Sequence, residues 1–176
     1  MARIPPLDDA SADPGLRREY DLQKTAHGRV TNMKRTLGHS AAAFRALMEW
    51  YPLRDEVIPF LGERRTTLFA HAISAETDCL ICSTFFRRLL IEGGEDPDLL
   101  ALDDRDRIVI EYGRQLARDP NQVSDDLYAR LARFLEPSQI VVLTAFGGLM
   151  IATNVFNNAL RVDLDDYLTP YRGGKA

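Results

Sequence analysis

The sequence has little cysteine, no excess of positive charge and no long uninterrupted run of apolar residues. Its 176 residues include two Cys, 11 Gly and 9 Pro, and 22 Lys and Arg stand against 26 Asp and Glu, which gives a formal net charge of −4. Because no basic field is present to hold a polyanion, we expect no nucleic acid partner. The apolar fraction of 45% is sufficient for the core of one globular domain.

The N-terminal residues lack the apolar segment of an export signal, since 1–9 contains two acidic residues and two prolines. The longest apolar stretch, 140–152, is shorter than the roughly 20 residues that a helix needs to cross a bilayer. We therefore expect a cytoplasmic protein that does not act at a membrane. The same stretch predicts a buried helix.

Strand signals are also nearly absent, because no sustained alternation of apolar and polar residues occurs between turn residues. Helical spacing of apolar residues dominates instead, and it predicts an all-α fold, a single helical bundle of about six or seven helices. Pro52 and Pro59 are expected to bend or end the first of them. The predicted helices cover 40–51, 64–75, 79–92, 103–118, 124–135 and 137–160.

Residues 1–36 are polar, contain early prolines and show no continuous apolar stripe. We predict that they form an N-terminal arm that is ordered only by packing on a neighbouring subunit, followed by a helical domain over 37–176. A homo-oligomer is also expected from the last helix, whose apolar residues cover more than one stripe and belong either at the centre of a monomer or at an interface. Gly147 and Gly148 in this helix are expected to allow the close approach of a neighbouring helix.

Cys79 and Cys82 form the most informative pair in the sequence. Residues three apart in a helix face the same side, so the two sulfurs could close a disulfide after a small rotamer change. With Thr77 or Asp78 as N-cap, the unpaired N–H groups and the dipole of the helix would lower the pKa of thiols in its first turn. This position favours Cys79 as the thiolate, and the spacing favours a pair that cycles between dithiol and disulfide.

Three other interpretations of the pair stay open. A closed zinc site needs four ligands, but the sequence has no second Cys-x-x-Cys, and His27, His39 and His71 fall outside the usual ligand spacing. A structural disulfide is disfavoured in the cytoplasm. Two cysteines packed in the core without chemistry are the strongest alternative, because free cysteine is often buried. We expect no metal and no other cofactor.

A thiolate that attacks a peroxide needs acid–base groups close by. His71 lies eight residues before Cys79 and could fold back toward the sulfurs if the chain turns near Thr77, although a core histidine is an equally good interpretation. Glu76 in the predicted connection is the second candidate, set against a role as a solvated carboxylate. His71 and Glu76 therefore join the two cysteines as candidate catalytic residues.

The segment from His71 to Arg87, with Cys-Leu-Ile-Cys at its centre and a Gly-Gly stop after it, resembles the carboxymuconolactone decarboxylase and alkylhydroperoxidase D-like superfamily. The likeness covers roughly residues 40–165. It includes the motifs at 102–108, 123–128, 136–143 and 154–162. The resemblance implies an all-helical domain assembled into a trimer, a hexamer or a dimer.

For function, the resemblance implies a thiol-dependent peroxidase that reduces a small hydroperoxide without a cofactor. It implies that Cys82 attacks the peroxide, that Cys79 resolves it as a disulfide, and that an external thiol or dithiol reductant restores the pair. Two relay positions of the superfamily differ here, since its usual histidine is Phe86 and its usual glutamate is Thr67.

The missing relay leaves several alternatives. His71 could replace it together with Glu76 or Glu63, or the protein could keep the fold and the thiols with weak peroxidase activity. Decarboxylation of a lactone, with His71 as acid or base, is a further alternative. The last is a non-catalytic helical oligomer whose cysteines are inert.

Overall fold

The structure is a computed structural model that describes residues 1–173. Within this range it contains nine α-helices, two short 3₁₀ helices and no strand, which confirms the predicted all-α fold. The helices are α1 Pro14–His27, α2 Asn32–Leu37, α3 Ala41–Met48, α4 Trp50–Leu61, α5 Glu63–Glu76, α6 Leu80–Glu92, α7 Asp104–Arg118, α8 Asp125–Ala132 and α9 Pro137–Leu160, with the 3₁₀ helices Pro120–Gln122 and Asp166–Tyr171.

Side-chain caps explain where several of the predicted helices begin. The side chains of Ser40, Asp103 and Ser124 accept backbone N–H groups from the first turns of α3, α7 and α8 at 3.3, 2.8 and 3.1 Å. The predicted helix over 40–51 is divided at Glu49 into α3 and α4. Pro52 does not end it, because a proline in the first turn of α4 removes an N–H that would have no helical partner.

The N-terminal segment packs on its own chain. Leu16 and Tyr20 of α1 are buried against Leu37 and Phe44, and the Arg3 N–H donates to the Leu160 carbonyl at 2.9 Å. These contacts correct the expectation that residues 1–36 are ordered only through a neighbouring subunit. Two large side chains on a polar helix were enough to bury one of its sides. A domain boundary at residue 36 and a contact with a neighbouring subunit stay predictions.

The core is built around α9, which is long and apolar enough by length and composition alone to cross a bilayer. Its residues Leu143, Phe146 and Met150 are buried among the side chains of the other helices, so α9 serves as the central helix of the domain. A Cβ atom at Gly147 would lie only 2.9 Å from Phe69 of α5. The predicted close approach of a helix therefore occurs at Gly147, whereas Gly148 faces open space.

Candidate active site

The turn between α5 and α6 places both cysteines at the start of α6. Asp78 adopts a left-handed backbone conformation with φ of 51°, and the Cys79 N–H donates to the Ser74 carbonyl at 2.9 Å. Cys79 is the N-cap residue of α6, and Cys82 is the third residue of that helix. The expected N-cap at Thr77 or Asp78 is thus displaced by one or two residues, since Asp78 is used for the turn itself.

Asparagines of α9 hold this turn and reach the sulfurs. Asn154 Nδ2 donates to Thr77 Oγ1 at 2.8 Å, and Asn158 Nδ2 donates to the Thr77 carbonyl at 2.8 Å. Asn157 Nδ2 lies 3.4 Å from Cys82 Sγ and 3.9 Å from Cys79 Sγ. Sequence reasoning assigned no role to these side chains, although several asparagines in an otherwise apolar helix were a usable signal, because buried amides require partners.

The two thiols titrate as a pair. A hydrogen bond from the Cys82 thiol lowers the pKa of Cys79 to about 7 against the opposing effect of burial, and backbone N–H groups of α6 and the Asn157 amide add to the shift. The hydrogen bond to Cys79 and burial raise the pKa of Cys82 well above its ordinary value. The first negative charge of the pair therefore resides on Cys79, in line with the helix-terminus expectation.

The sulfur that the cavity reaches is not the sulfur that carries the negative charge. Cys79 is 1% exposed and Cys82 is 7% exposed, and Cys82 is the sulfur that lines a cavity of about 90 Å³. The wall is mostly apolar and strongly aromatic. It consists of Thr31, Met33, Lys34, Leu47, Met48, Trp50, Tyr51, Ile81, Cys82, Phe85, Phe86, Met150, Thr153, Asp165, Tyr167 and Leu168. A small apolar molecule in this cavity would meet Cys82.

Lys34 is the charged group most deeply buried in this wall, and the sequence did not reveal it. Its side chain is 3% exposed, and its Nζ donates to Gln23 Oε1 at 2.5 Å and to Tyr51 Oη at 2.8 Å. Burial lowers the pKa of Lys34 to about 8 and raises that of Tyr51 to about 12. A lysine in a polar segment is normally solvated, so no local pattern pointed to this position.

Asp165 contributes the second charge of the wall. Its Oδ1 accepts the backbone N–H of Asn32 at 2.9 Å, while its Oδ2 is buried and lacks a hydrogen-bond partner within residues 1–173. Burial raises the pKa of this carboxyl. The cavity thus combines a thiol, an ammonium group and a partly unpaired carboxyl with apolar walls.

The structure does not bring His71 or Glu76 into hydrogen-bond contact with either sulfur. Burial, Arg87 and Arg114 lower the pKa of His71, and Glu76 accepts a hydrogen bond from Arg118 at 2.9 Å. Glu63 pairs with Arg54 at 2.5 Å. A catalytic role for His71 or Glu76 stays a prediction that no contact with the sulfurs supports.

The positions of the superfamily relay are used differently in this chain. Thr67 donates to the Glu63 carbonyl of its own helix at 2.9 Å, and Phe86 forms part of the cavity wall. Neither side chain can transfer a proton to or from a thiol. Within residues 1–173 no cluster of three or more His, Cys, Asp or Glu side chains is placed to hold a metal ion.

The order and packing of these helices define the alkylhydroperoxidase D-like fold. The chain is similar to an uncharacterized peroxidase-related protein from Ralstonia eutropha JMP134 with an alkylhydroperoxidase AhpD core, at 17% identity and a TM-score of 0.79, over 99% of this chain and 98% of that one. It is also similar to an uncharacterized peroxidase-related protein from Silicibacter sp. TM1040, at 18% identity and a TM-score of 0.74, over 96% of each chain.

A third similar structure is that of the debrominase Bmp8, at 14% identity and a TM-score of 0.79, over 96% of this chain and 95% of that one. A cysteine-to-alanine variant of Bmp8 has been crystallised with 2,3,4-tribromopyrrole. No protein-family model matches the chain, and no curated protein matches it. At these identities the likeness establishes the fold.

Proposed function

We propose that this protein is a thiol-dependent reductase of small apolar hydroperoxides, with Cys82 as the attacking residue and Cys79 as the resolving one. The observation that carries the proposal is that the two sulfurs differ in their access to the cavity and in their charge. Cys82 borders the apolar cavity, and the charge of the pair is stabilised on the adjoining Cys79. The peroxidase-related names of two fold neighbours support the same chemistry.

In the first step the thiolate of Cys79 takes the proton of the Cys82 thiol, to which it is hydrogen-bonded. The Cys82 sulfur then attacks the outer peroxide oxygen, so that an S–O bond forms and the O–O bond breaks. Sulfur gives two electrons to the peroxide, and the departing alkoxide takes one proton and leaves as an alcohol. Cys82 is left as a sulfenic acid.

In the second step Cys79 attacks the sulfur of that sulfenic acid, which forms the disulfide and releases water. An external dithiol then supplies two electrons and two protons, becomes a disulfide itself and restores both thiols. We propose the cytoplasm as the compartment, because its reducing environment returns such a pair to the dithiol form. This cycle uses only the chain's own sulfurs and one co-substrate.

Cumene hydroperoxide provides the direct test. We expect the reduced protein to lose two thiols per chain for each peroxide consumed and to form one cumyl alcohol. Cys82→Ser should consume none, whereas Cys79→Ser should stop at a sulfenic acid that dimedone traps on Cys82. His71→Ala tests the predicted role of that histidine separately, since a rate equal to that of the wild type would show that the reaction does not need it. If both thiols persist in the wild type, or if Cys82→Ser equals it, the proposal is wrong.

Reductive removal of bromine is the second candidate, favoured by the aromatic cavity wall beside Cys82 and by the similarity to a debrominase. In the balanced reaction, an aryl bromide and the cysteine dithiol would give the arene, a bromide ion, a proton and the cysteine disulfide. Incubation of the reduced protein with polybrominated pyrroles and ion chromatography for bromide tests it. Bromide release without hydroperoxide consumption would favour this candidate over the first.

A further inference from the structure

Lys34 is a buried cation in the wall of the cavity. An ammonium group has three N–H bonds, and Gln23 and Tyr51 accept two of them. No carboxylate of residues 1–173 forms an ion pair with Lys34, and Asp165 acts on it only through space. Burial of a charge without an ion-pair partner lowers the stability of the fold. A charge of this kind, placed in a cavity next to a nucleophile, is a candidate for function.

Contacts between neighbouring side chains connect Lys34 to the sulfurs. Met33, the residue before it in α2, lies with its Sδ 3.6 Å from Asn157 Nδ2. The same Nδ2 atom lies 3.4 Å from Cys82 Sγ. Met33 and Cys82 therefore contact the same amide group, and Lys34 and Cys82 are both part of the wall of one small cavity.

The proposed reaction needs a proton donor inside the cavity. When the O–O bond breaks, the departing alkoxide needs a proton, and Cys79 does not border the cavity. Thr67 and Phe86 cannot supply it, and His71 and Glu76 contact other residues. The Tyr51 hydroxyl is a poor acid, because burial raises its pKa to about 12. The third N–H of Lys34 is suited to this transfer.

We infer that Lys34 is the catalytic acid of the proposed peroxidase reaction, with its Nζ protonating the oxygen that leaves as Cys82 attacks. The inference rests on the proposed function. The proton moves from Nζ to the alkoxide oxygen while two sulfur electrons pass to the peroxide. Lys34, Tyr51 and Tyr167 also line a wider surface groove, through which neutral Lys34 regains its proton from solvent. The nearby Asp165 carboxylate favours the charged form of Lys34.

The leaving group separates this role from a structural one. Cumene hydroperoxide releases an alkoxide that must be protonated, whereas perbenzoic acid releases a carboxylate that needs no proton. We expect Lys34→Met to slow sulfenic acid formation from cumene hydroperoxide by roughly 100-fold or more, the range of general acid catalysis. The rate with perbenzoic acid should stay near that of the wild type. Stopped-flow fluorescence of Trp50, the single tryptophan and part of the cavity wall, follows both reactions.

Two further measurements distinguish the loss of the acid from misfolding of the Lys34→Met variant. Lys34→Gln keeps a hydrogen-bonding side chain without an acidic proton and should show the same selective loss. In the wild type, the solvent deuterium isotope effect should be larger with cumene hydroperoxide than with perbenzoic acid, because proton transfer between the cysteines is common to both peroxides and only the first adds protonation of the leaving oxygen.

Each outcome bears on a distinct claim. Equal slowing of both peroxides, or of neither, overturns the role of Lys34 and leaves the proposed function intact. A wild type that is inert to both peroxides removes the proposed function, and the role of Lys34 is lost with it.

Discussion

At the scale of single residues, the hydrogen bond between the thiols opposes the effect of burial on the pKa of Cys79 and adds to the effect of burial on that of Cys82. Burial alone raises the pKa of both, yet the hydrogen bond from Cys82 and the N–H groups at the start of α6 lower that of Cys79 to about 7. Asn157 contributes in the same direction to both sulfurs. A buried pair can therefore carry a negative charge near neutral pH, although neither cysteine is open to bulk water.

This arrangement predicts the pH dependence of thiol reactivity. Thiolate accumulates above the pKa, so alkylation of Cys82 by iodoacetamide should rise with pH through an inflection near 7 in the wild type. In Cys79→Ser the inflection should move above pH 9, because burial then acts on Cys82 without a neighbouring thiolate to take its proton. Asn157→Leu should move the wild-type inflection upward. Mass spectrometry locates the label, and labelling that begins only above pH 9 in the wild type would contradict the prediction.

The cysteines could be predicted from the sequence because their spacing is local, and the rest of the site could not. Lys34 lies 48 positions before Cys82 and Asp165 lies 83 positions after it, so only the fold brings these three residues to one cavity. His71 and Glu76 were proposed from their nearness along the chain. Helix α5 turns Glu76 toward Arg118 instead, since an exposed arginine on α7 is a better partner than a buried thiol.

At the scale of helices, α9 uses two adjacent glycines for opposite purposes. Gly147 faces inward, where Phe69 and Leu116 leave no room for a Cβ atom, and Gly148 faces outward, where nothing lies within 4 Å. The sequence predicted close packing at both positions. The sequence pattern could not show which of the two glycines faces the core. Both are flanked by apolar residues, and the helix has apolar residues on most of its sides.

The two glycines provide a matched pair of substitutions. Gly147→Ala should lower the free energy of unfolding by about 1–3 kcal/mol, the usual range for forcing an extra methyl group into a packed core. Gly148→Ala should raise the free energy of unfolding of the monomer by up to about 1 kcal/mol, since alanine is the better helix former and meets no neighbour within its own chain. Urea unfolding of the three proteins at the same concentration measures both changes. Equal effects at the two positions would show that the packing against Phe69 is not tight.

The helices from residue 63 onward were predicted close to their observed ranges, because their apolar spacing and caps are local signals. The helix predicted over 40–51 was not, since α4 continues through Pro52 and Pro59 to Leu61. Helices α1 and α2 were missed for the opposite reason. Their buried residues include Lys34 and Thr36 beside Leu16, Tyr20 and Leu37, a set too polar and too sparse to form a stripe. Tertiary contacts with Phe44 and the cavity wall stabilise them instead.

At the scale of the whole molecule, the candidate site depends on both ends of the chain. The cavity wall takes Lys34 from α2, Trp50 from α4, Cys82 from α6 and Tyr167 from the last 3₁₀ helix. The N-terminal segment therefore contributes Thr31, Met33 and Lys34 to the cavity wall. The similarity to peroxidase-related proteins also extends over nearly the full length of both chains.

One face of α9 remains uncovered and gives the expected homo-oligomer a location. Val141 and Val155 on this face are 67% and 59% exposed, and Ala145, Gly148 and Ala152 lie between them on the same side of the helix, also exposed. Their small side chains would let the same face of a second copy approach closely. A two-fold axis can pair identical faces in this way.

We therefore predict that the protein self-associates through this face of α9. A lysine in place of Ala152 would bury an unpaired charge in such an interface, so Ala152→Lys should sediment as a monomer at concentrations where the wild type is oligomeric. Ala129→Lys, a matched change on the exposed side of α8, should sediment like the wild type. A wild type that stays monomeric at high concentration would contradict the prediction, as would an Ala152→Lys variant that remains associated. Ala152 is not part of the cavity wall, so monomeric Ala152→Lys should keep its reactivity toward hydroperoxide, and this separates assembly from chemistry.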